Sequence, residues 1–347
     1  MPATLRRILV IAPNWIGDCL LAQPLLARLQ ERYPNAQIDA LAPPWVAPVL
    51  ERMPQIARAI PAMLAHGELK LGERWRLART LARDNYDAAY VLPNSFKSAL
   101  IPLFAGIPRR IGFVGEQRYG VLSERHRLDE KSLVLMAERY AQLAEPVGNP
   151  PRRPLARPQL RVDEGNRTRV LASLDLDATK PIVAMCPGAE FGPSKRWPAR
   201  HFATLAIKLA ARGRQVWLFG SNKDRQIATE IASLSGGIAR SLAGRTELAA
   251  AIDLMSLAEL VVTNDSGLMH VAAALGRRIV ALYGSSSPDH TPPMADRVII
   301  ARLGLECSPC FQRECPLEHF RCLNDLSPQW VLDALASAEN GGTTARH

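Results

Sequence analysis

The chain has 347 residues, 48% hydrophobic and 22% charged, more apolar material than one ordinary α/β core buries and enough for two domains of roughly 150 to 170 residues. No stretch approaches the roughly 18 consecutive apolar residues of a spanning helix; Arg6 and Arg7 before ILVIA imitate a signal peptide only until Asn14 and Asp18 interrupt the run, so the expectation is a buried first strand in a cytoplasmic protein. The net charge of +10 is one-sided: residues 1–157 hold 22 Lys+Arg against 14 Asp+Glu, net +8, and the remainder 21 against 19, net +2. This suits an N-terminal half that faces an anionic partner, though a solvated basic surface has the same composition.

The first element pair is RRILVIAPNWIGDCLLAQPLLARLQ, residues 6–30. A short apolar run stops at a polar, Gly-containing turn and restarts with helical spacing, which predicts a strand and then a helix over 17–32. Asp18 falls in the first helical turn, where the helix N-terminus holds a carboxylate ionised. Such a carboxylate can take a proton from a sugar hydroxyl; an acidic residue favoured only by the macrodipole would occupy the same place. NWIGD lacks the GxGxxG fingerprint, which removes the main support for a nicotinamide enzyme. QIDALA, PWVAPVLERM, DAAYVLP and FKSALIPLFAG continue a βαβα alternation and imply a parallel sheet with helices on both faces. Between them, residues 66–84 form a basic helix with Leu69, Trp75, Leu77, Leu81 and four arginines, suited to packing on its own sheet or to lying on an anionic membrane.

Five prolines and three arginines in EPVGNPPRRPLARPQL, residues 145–160, exclude regular structure and mark a linker. The α/β pattern then restarts with PIVAMCPG. The loop PGAEFGPSKRWP, residues 187–198, carries Lys195 and Arg196 after a buried strand, and adjacent cations there can neutralise a diphosphate as readily as they can sit in solvent. LVVTNDSGLMHVAAALG, residues 260–276, repeats the strand-turn-helix junction: a capped helix start whose backbone N–H groups can bind phosphate, with Gly267 permitting close approach. Cys307, Cys310, Cys315 and Cys322 fall together; in a large chain this reads as zinc ligation, a redox pair or reduced structural thiols, and the spacing is too compressed for a two-knuckle ribbon. A last helix is expected over 327–338, and the tail from Glu339 has no apolar residue larger than Ala345.

Taken in order, NWIGD, LPNSFKSALIPLFAGIPRRIGF, CPGAEFGPSKRWP and VTNDSGLMHVAAALG closely resemble the ADP-heptose:lipopolysaccharide heptosyltransferases of glycosyltransferase family 9, over about residues 7–335. The second and third stretches are most similar to the members that add the second inner-core heptose; members acting on other core acceptors are the alternative. The resemblance implies a GT-B fold, two Rossmann-like doubly wound domains facing a central cleft: an acceptor domain over 1–157 and an ADP-heptose domain over 158–326. From the chain itself, the helix 327–338 comes too late to be needed by the second sheet and is expected to cross back to the first domain, and 339–347 is expected to be disordered.

It also implies transfer of L-glycero-D-manno-heptose from ADP-heptose to heptosyl-Kdo2-lipid A, with inversion and with no metal or other cofactor, peripherally on the cytoplasmic face of the inner membrane. Carried over by position, Asp18 is the general base, Lys195 with Arg196 meets the diphosphate, and the loop of Asp265, Ser266 and Gly267 holds it. Asp224, after QVWLFGS, is the candidate ribose contact. Asn94, Lys97, Arg109, Arg110 and Arg118 are the candidate acceptor contacts. The cysteines receive no role. A nucleic-acid partner would call for aromatics interleaved with the basic residues and a binding motif; aromatics are only 6% of the chain and no such motif occurs.

Overall fold

The computed structural model describes residues 5–63 and 69–339. The chain divides into two compact units at Leu160 and Arg161, within the run of prolines and arginines that marks the linker. In the first unit the strands are β1 (Arg7–Ile11), β2 (Gln37–Ala42), β3 (Arg58–Pro61), β4 (Ala88–Val91), β5 (Arg109–Phe113) and β6 (Glu124–His126), in the order β3-β2-β1-β4-β5-β6. In the second they are β7 (Ile182–Cys186), β8 (Gln215–Leu218), β9 (Ala239–Ser241), β10 (Ala258–Asn264), β11 (Arg278–Leu282) and β12 (Val298–Ala301), in the order β12-β11-β10-β7-β8-β9. Every pairing is parallel.

Read from its third strand, each sheet has the order 3-2-1-4-5-6 of a doubly wound nucleotide-binding domain. The chain builds outward in one direction, returns to the middle, and builds outward in the other. Ligands bind where the direction reverses, outside the carboxyl ends of the two central strands. Those strands are β1 and β4 in one unit and β7 and β10 in the other, and they are almost wholly buried, as parallel strands covered on both faces must be.

Three local features depart from the sequence reading. The helix expected over 17–32 is two helices, Ile16–Leu21 and Gln23–Arg32. Pro24 accounts for the break, since it has no N–H to give to the preceding turn and its ring crowds that turn's carbonyl. The last helix, Pro328–Glu339, places Val331, Leu332 and Leu335 in the core of the second unit. Trp197 Nε1 donates to Leu326 O at 2.8 Å just ahead of it. The expected return to the first domain is therefore corrected: burying three aliphatic side chains, worth about 1.5 to 3 kcal/mol each, commits this helix to its own sheet. Glu339, expected to begin the tail, is its last residue and accepts from Arg278 Nη1 at 3.0 Å; residues 340–347, where disorder was expected, lie outside the described residues.

The linker is tied down at both ends. Gln23 clasps Gln159, its Nε2 donating to the carbonyl at 2.8 Å and its Oε1 accepting from the amide at 2.7 Å. On the far side, fully buried Asp253 accepts from Asp163 N and Asn166 Nδ2 at 2.8 and 2.7 Å. Of the basic helix, residues 66–68 lie outside the described residues. The rest runs Leu71–Leu81, followed by a 3-10 turn at Ala82–Asp84. It packs its Arg74, Ala78 and Leu81 face inward, sets Trp75 edge-on to Phe104 with centroids 5.4 Å apart, and leaves Leu69, Leu71 and Trp75 about half exposed. Among the described residues no helix is long and apolar enough to cross a membrane.

Candidate active site

At the carboxyl end of the second sheet, three loops converge on one carboxylate. Lys195, in a 3-10 turn after β7, places Nζ 2.5 Å from Asp265 Oδ2, and Ser286, after β11, donates its Oγ to the same oxygen at 2.6 Å. Lys195 Nζ also lies 5.0 Å from the centre of the Phe191 ring. Asn264, fully buried at the end of β10, holds the loops in register. Its Nδ2 donates to Pro187 O at 2.7 Å and its Oδ1 accepts from Trp197 N at 3.1 Å.

The helix Gly267–Ala274 starts beside this group with Ser266 at the N-cap and no side-chain capping bond. The N–H groups that open a helix lack i−4 partners, though Met269 N donates to Ser266 O at 3.1 Å. The Asp265 N–H is not among them, because it donates to Leu282 O at 3.3 Å; backbone donation falls to Ser266, Gly267 and the residue after them. His270, buried one turn in, is pushed down to about 4, first by burial and further by Lys195, with Asp265 opposing. It is neutral at physiological pH.

Asp224 stands over the glycines that follow β7 and β8. A Cβ added to Gly188 would lie 2.3 Å from Asp224 Oδ1, and one on Gly220 would lie 2.7 Å from its Cβ. Only the missing side chains let the carboxylate lie there. Asp224 Oδ2 is occupied locally, accepting from the N–H and hydroxyl of Ser221 at 2.8 Å each in a capping box. Arg196 donates to Ala189 O at 3.3 Å.

In the first unit, Asp18 lies in the first turn of Ile16–Leu21, after the half-exposed Trp15. Its charge adds to burial in raising the pKa of its neighbours Cys19 and Tyr140. A depression outside the ends of β1, β2 and β4 is lined by Asn14, Arg74, Ser95, Lys97 and Ser98 over an apolar floor of Ile11, Leu41 and Ile101.

Of the five proposed acceptor contacts, only Lys97 lines it. Arg109 is held in an ion pair with Glu124 at 2.7 Å. Arg110 donates to the carbonyls of Val121, Ile107 and Pro108. Arg118, fully buried, donates to Pro93 O, Phe113 O and Asn94 Oδ1, and so also engages Asn94. These three arginines and Asn94 shape the strand-end loops. Arg74, to which charge and motif assign no role, also lines the depression.

The family model for glycosyltransferase family 9 (heptosyltransferase) matches residues 74–321. This chain belongs to glycosyltransferase family 9. It is 47% identical over 338 residues to the Escherichia coli protein named lipopolysaccharide heptosyltransferase 2, covering 95% of this chain and 97% of that one. It is 42% identical over 341 residues to the Haemophilus influenzae lipooligosaccharide heptosyltransferase 2, covering 94% and 98%. The crystal structure of E. coli ADP-heptose lps heptosyltransferase II superposes with a TM-score of 0.86 at 45% identity, over 96% of this chain and 99% of that one. The chain is thus a glycosyltransferase built from two Rossmann-like units of the GT-B class, as the motifs implied.

The family-9 chain carries its cysteines beside the Lys195 loop. Cys307, Cys310, Cys315 and Cys322 are all unpaired and line one small cavity with Ser194, Ser285 and His319. Among the described residues no three Cys, His, Asp or Glu side chains are gathered closely enough to hold a metal ion. The segment is stitched to the site: Ser194 N and Oγ donate to Arg313 O and Gln312 O at 3.2 and 2.5 Å, and Phe311 N donates to Ser285 O at 2.7 Å.

Proposed function

We propose that the chain transfers L-glycero-D-manno-heptose from ADP-heptose to the first heptose of heptosyl-Kdo2-lipid A, with inversion, as a heptosyltransferase II. The observation that carries this reading is the 47% identity to the E. coli lipopolysaccharide heptosyltransferase 2, which runs through both units and covers 95% of the chain.

In this reading the two strand ends divide the chemistry. Asp18 accepts the proton of the attacking heptose hydroxyl, whose oxygen forms the new bond to the anomeric carbon from the face opposite the diphosphate. The bond from that carbon to the diphosphate breaks, and its electron pair leaves with ADP. Lys195, Arg196 and the N–H groups of Ser266 and Gly267 stabilise the charge that collects on the leaving group, as fixed donors do most effectively. An ammonium has three donors; Asp265 uses one and aims the others. Asp224 supports a ribose contact through Oδ1, since Oδ2 is taken up by the capping box.

The exposed Leu69, Leu71 and Trp75, with exposed Arg76, Arg79 and Arg83 beside them, fit a peripheral seat on the anionic cytoplasmic leaflet, where each basic side chain near the surface contributes about 1 kcal/mol.

The test is mass spectrometry of heptosyl-Kdo2-lipid A after incubation with ADP-heptose, with heptose-free Kdo2-lipid A in parallel. Gain of one heptose on the first acceptor alone is the expected result. Gain on the heptose-free acceptor would move the activity to the first transfer, and gain on neither would overturn the donor or the acceptor.

A further inference from the structure

The proposed transfer leaves one charged group without a task. Arg74 is 2% exposed. It reaches the depression at the ends of β1, β2 and β4 from the helix Leu71–Leu81, where its guanidinium is pinned by two backbone carbonyls: Nε donates to Leu69 O at 2.7 Å and Nη1 to Lys97 O at 3.0 Å. Among the described residues no carboxylate forms an ion pair with it: the charge of adjacent Glu73 reaches it, but Glu73 is itself bridged to Lys70, and neither the Arg74 Nη2 nor Lys97 Nζ makes a hydrogen bond.

Other arginines of this unit are matched or used up: Arg7 and Arg58 share Asp39 and Asp84, Arg28 has Glu145 and Arg109 has Glu124, while Arg110 and buried Arg118 are held by carbonyls as Arg74 is but do not line the depression. A buried cation whose own charge is unmatched, tied through a carbonyl to a second cation, is unfavourable unless an anion completes it. The polar lining of Asn14, Ser95 and Ser98, the apolar floor and the position at the crossover all describe a ligand site.

Resting on the proposed reaction, we infer that this depression is the anion subsite for the acceptor, and that Arg74 with Lys97 receives the carboxylate of the acidic sugar to which the accepting heptose is joined. An arginine held by two carbonyls presents its remaining donors in a fixed plane, which suits a planar carboxylate. The carboxylate is favoured over a lipid phosphate because Asn14 lines the depression and Asp18 follows four residues later, in the first turn of the next helix. An anion bound there belongs within about one sugar of the reacting hydroxyl.

The test is steady-state kinetics of the full-length Arg74→Gln, Arg74→Lys and Lys97→Gln proteins with each substrate varied, together with equilibrium binding of heptosyl-Kdo2 lacking the lipid. Arg74→Gln is expected to raise the acceptor KM about 10- to 100-fold, the loss typical of a charge-assisted pair, and to leave the KM for ADP-heptose unchanged. Arg74→Lys recovers part of that loss, and Lys97→Gln shows a smaller rise. Lys97 is half-buried and carries the test if Arg74→Gln does not fold.

On an acceptor whose carboxylates are reduced to alcohols the Arg74→Gln penalty disappears, whereas on a dephosphorylated acceptor it persists. The reverse pattern would assign a lipid phosphate and overturn the carboxylate; an unchanged acceptor KM in both Arg74→Gln and Lys97→Gln would overturn the subsite. Absence of turnover in the parent protein would count against the proposed reaction, and binding of the delipidated acceptor tests the subsite independently of turnover.

Discussion

The two sheets share one strand order and differ in how they treat charge at the corresponding place. In the second unit the cation at the crossover is already matched: Lys195 lies 2.5 Å from Asp265, which Ser286 also holds. In the first unit, which carries the net +8, Arg7, Arg28, Arg58 and Arg109 are matched with carboxylates and Arg110 and Arg118 are taken up by carbonyls, while Arg74 and Lys97 face the depression beside the crossover with no carboxylate bridging them. The excess charge of the first half is therefore localised as well as diffuse. The difference follows from what each end is proposed to bind. A diphosphate that must leave is met by a lysine that has a partner to return to. An acceptor anion that only has to be held is met by cations that no carboxylate bridges.

The strongest way to break this division is Asp18→Ala. If proton removal belongs to the first unit and donor binding to the second, turnover falls by about 10²- to 10⁴-fold while the calorimetric affinity for ADP-heptose stays the same. Residual turnover near the parent rate would show that another group takes the proton. Lys195→Ala is the next largest. It should lower kcat/KM by about 10- to 10³-fold and also reduce stability, because Asp265, only 6% exposed, is left without its cation. Adding Asp265→Asn should restore the melting temperature without restoring donor affinity. Recovery of both would mean that the lysine served only to neutralise the aspartate.

Much of this was legible in the sequence because it rests on periodicity and turn chemistry. Apolar runs ending in NWIGD, PGAEFGPSK and NDSG announce strand ends, and the structure places all three at the crossover strands. The acceptor contacts were less legible. Charge alone points to Arg109, Arg110 and Arg118, but charge does not reveal that Glu124 or a set of carbonyls already occupies a guanidinium. Arg74 does carry a local signal: with Ala78 and Leu81 it falls at i, i+4 and i+7, the inward stripe of its helix, where a cation is out of place unless it has a use. The destination of the last helix depends on which sheet has apolar surface left to cover, and no local pattern reports that. Ser286 lay in an unremarkable GSSS run, and its grip on Asp265 needed the fold.

A smaller perturbation tests whether the cysteine-bearing segment supports the diphosphate loop. A Cβ at position 192 would lie 2.4 Å from Arg313 O, so Gly192→Ala must push the two loops apart. Overpacking of this kind costs about 1 to 3 kcal/mol, and since Lys195 N donates to Gly192 O at 3.3 Å, the KM for ADP-heptose should rise several-fold while the acceptor KM holds. Unchanged donor kinetics in a destabilised protein would make the segment a buttress for the fold alone.

The smallest expected effect concerns His270. Its folded pKa, about 4, lies below the ordinary 6.5 because burial and Lys195 outweigh Asp265. Between those two values the unfolded chain binds a proton that the folded chain does not, so stability is complete above pH 6.5 and falls as pH drops toward 4. The shift corresponds to at most about 3 kcal/mol. His126 and His201 are shifted downward as well, also mainly by burial, so the parent slope holds more than one contribution and the comparison must be a difference. Melting temperatures of the parent and of His270→Gln, followed from pH 7.5 to 4.5, should converge as the pH falls, because the glutamine has no proton to gain. Parallel curves would show that the imidazole is not held neutral beside Lys195 and Asp265, and would weaken the picture of a donor site whose charges are balanced before the diphosphate arrives.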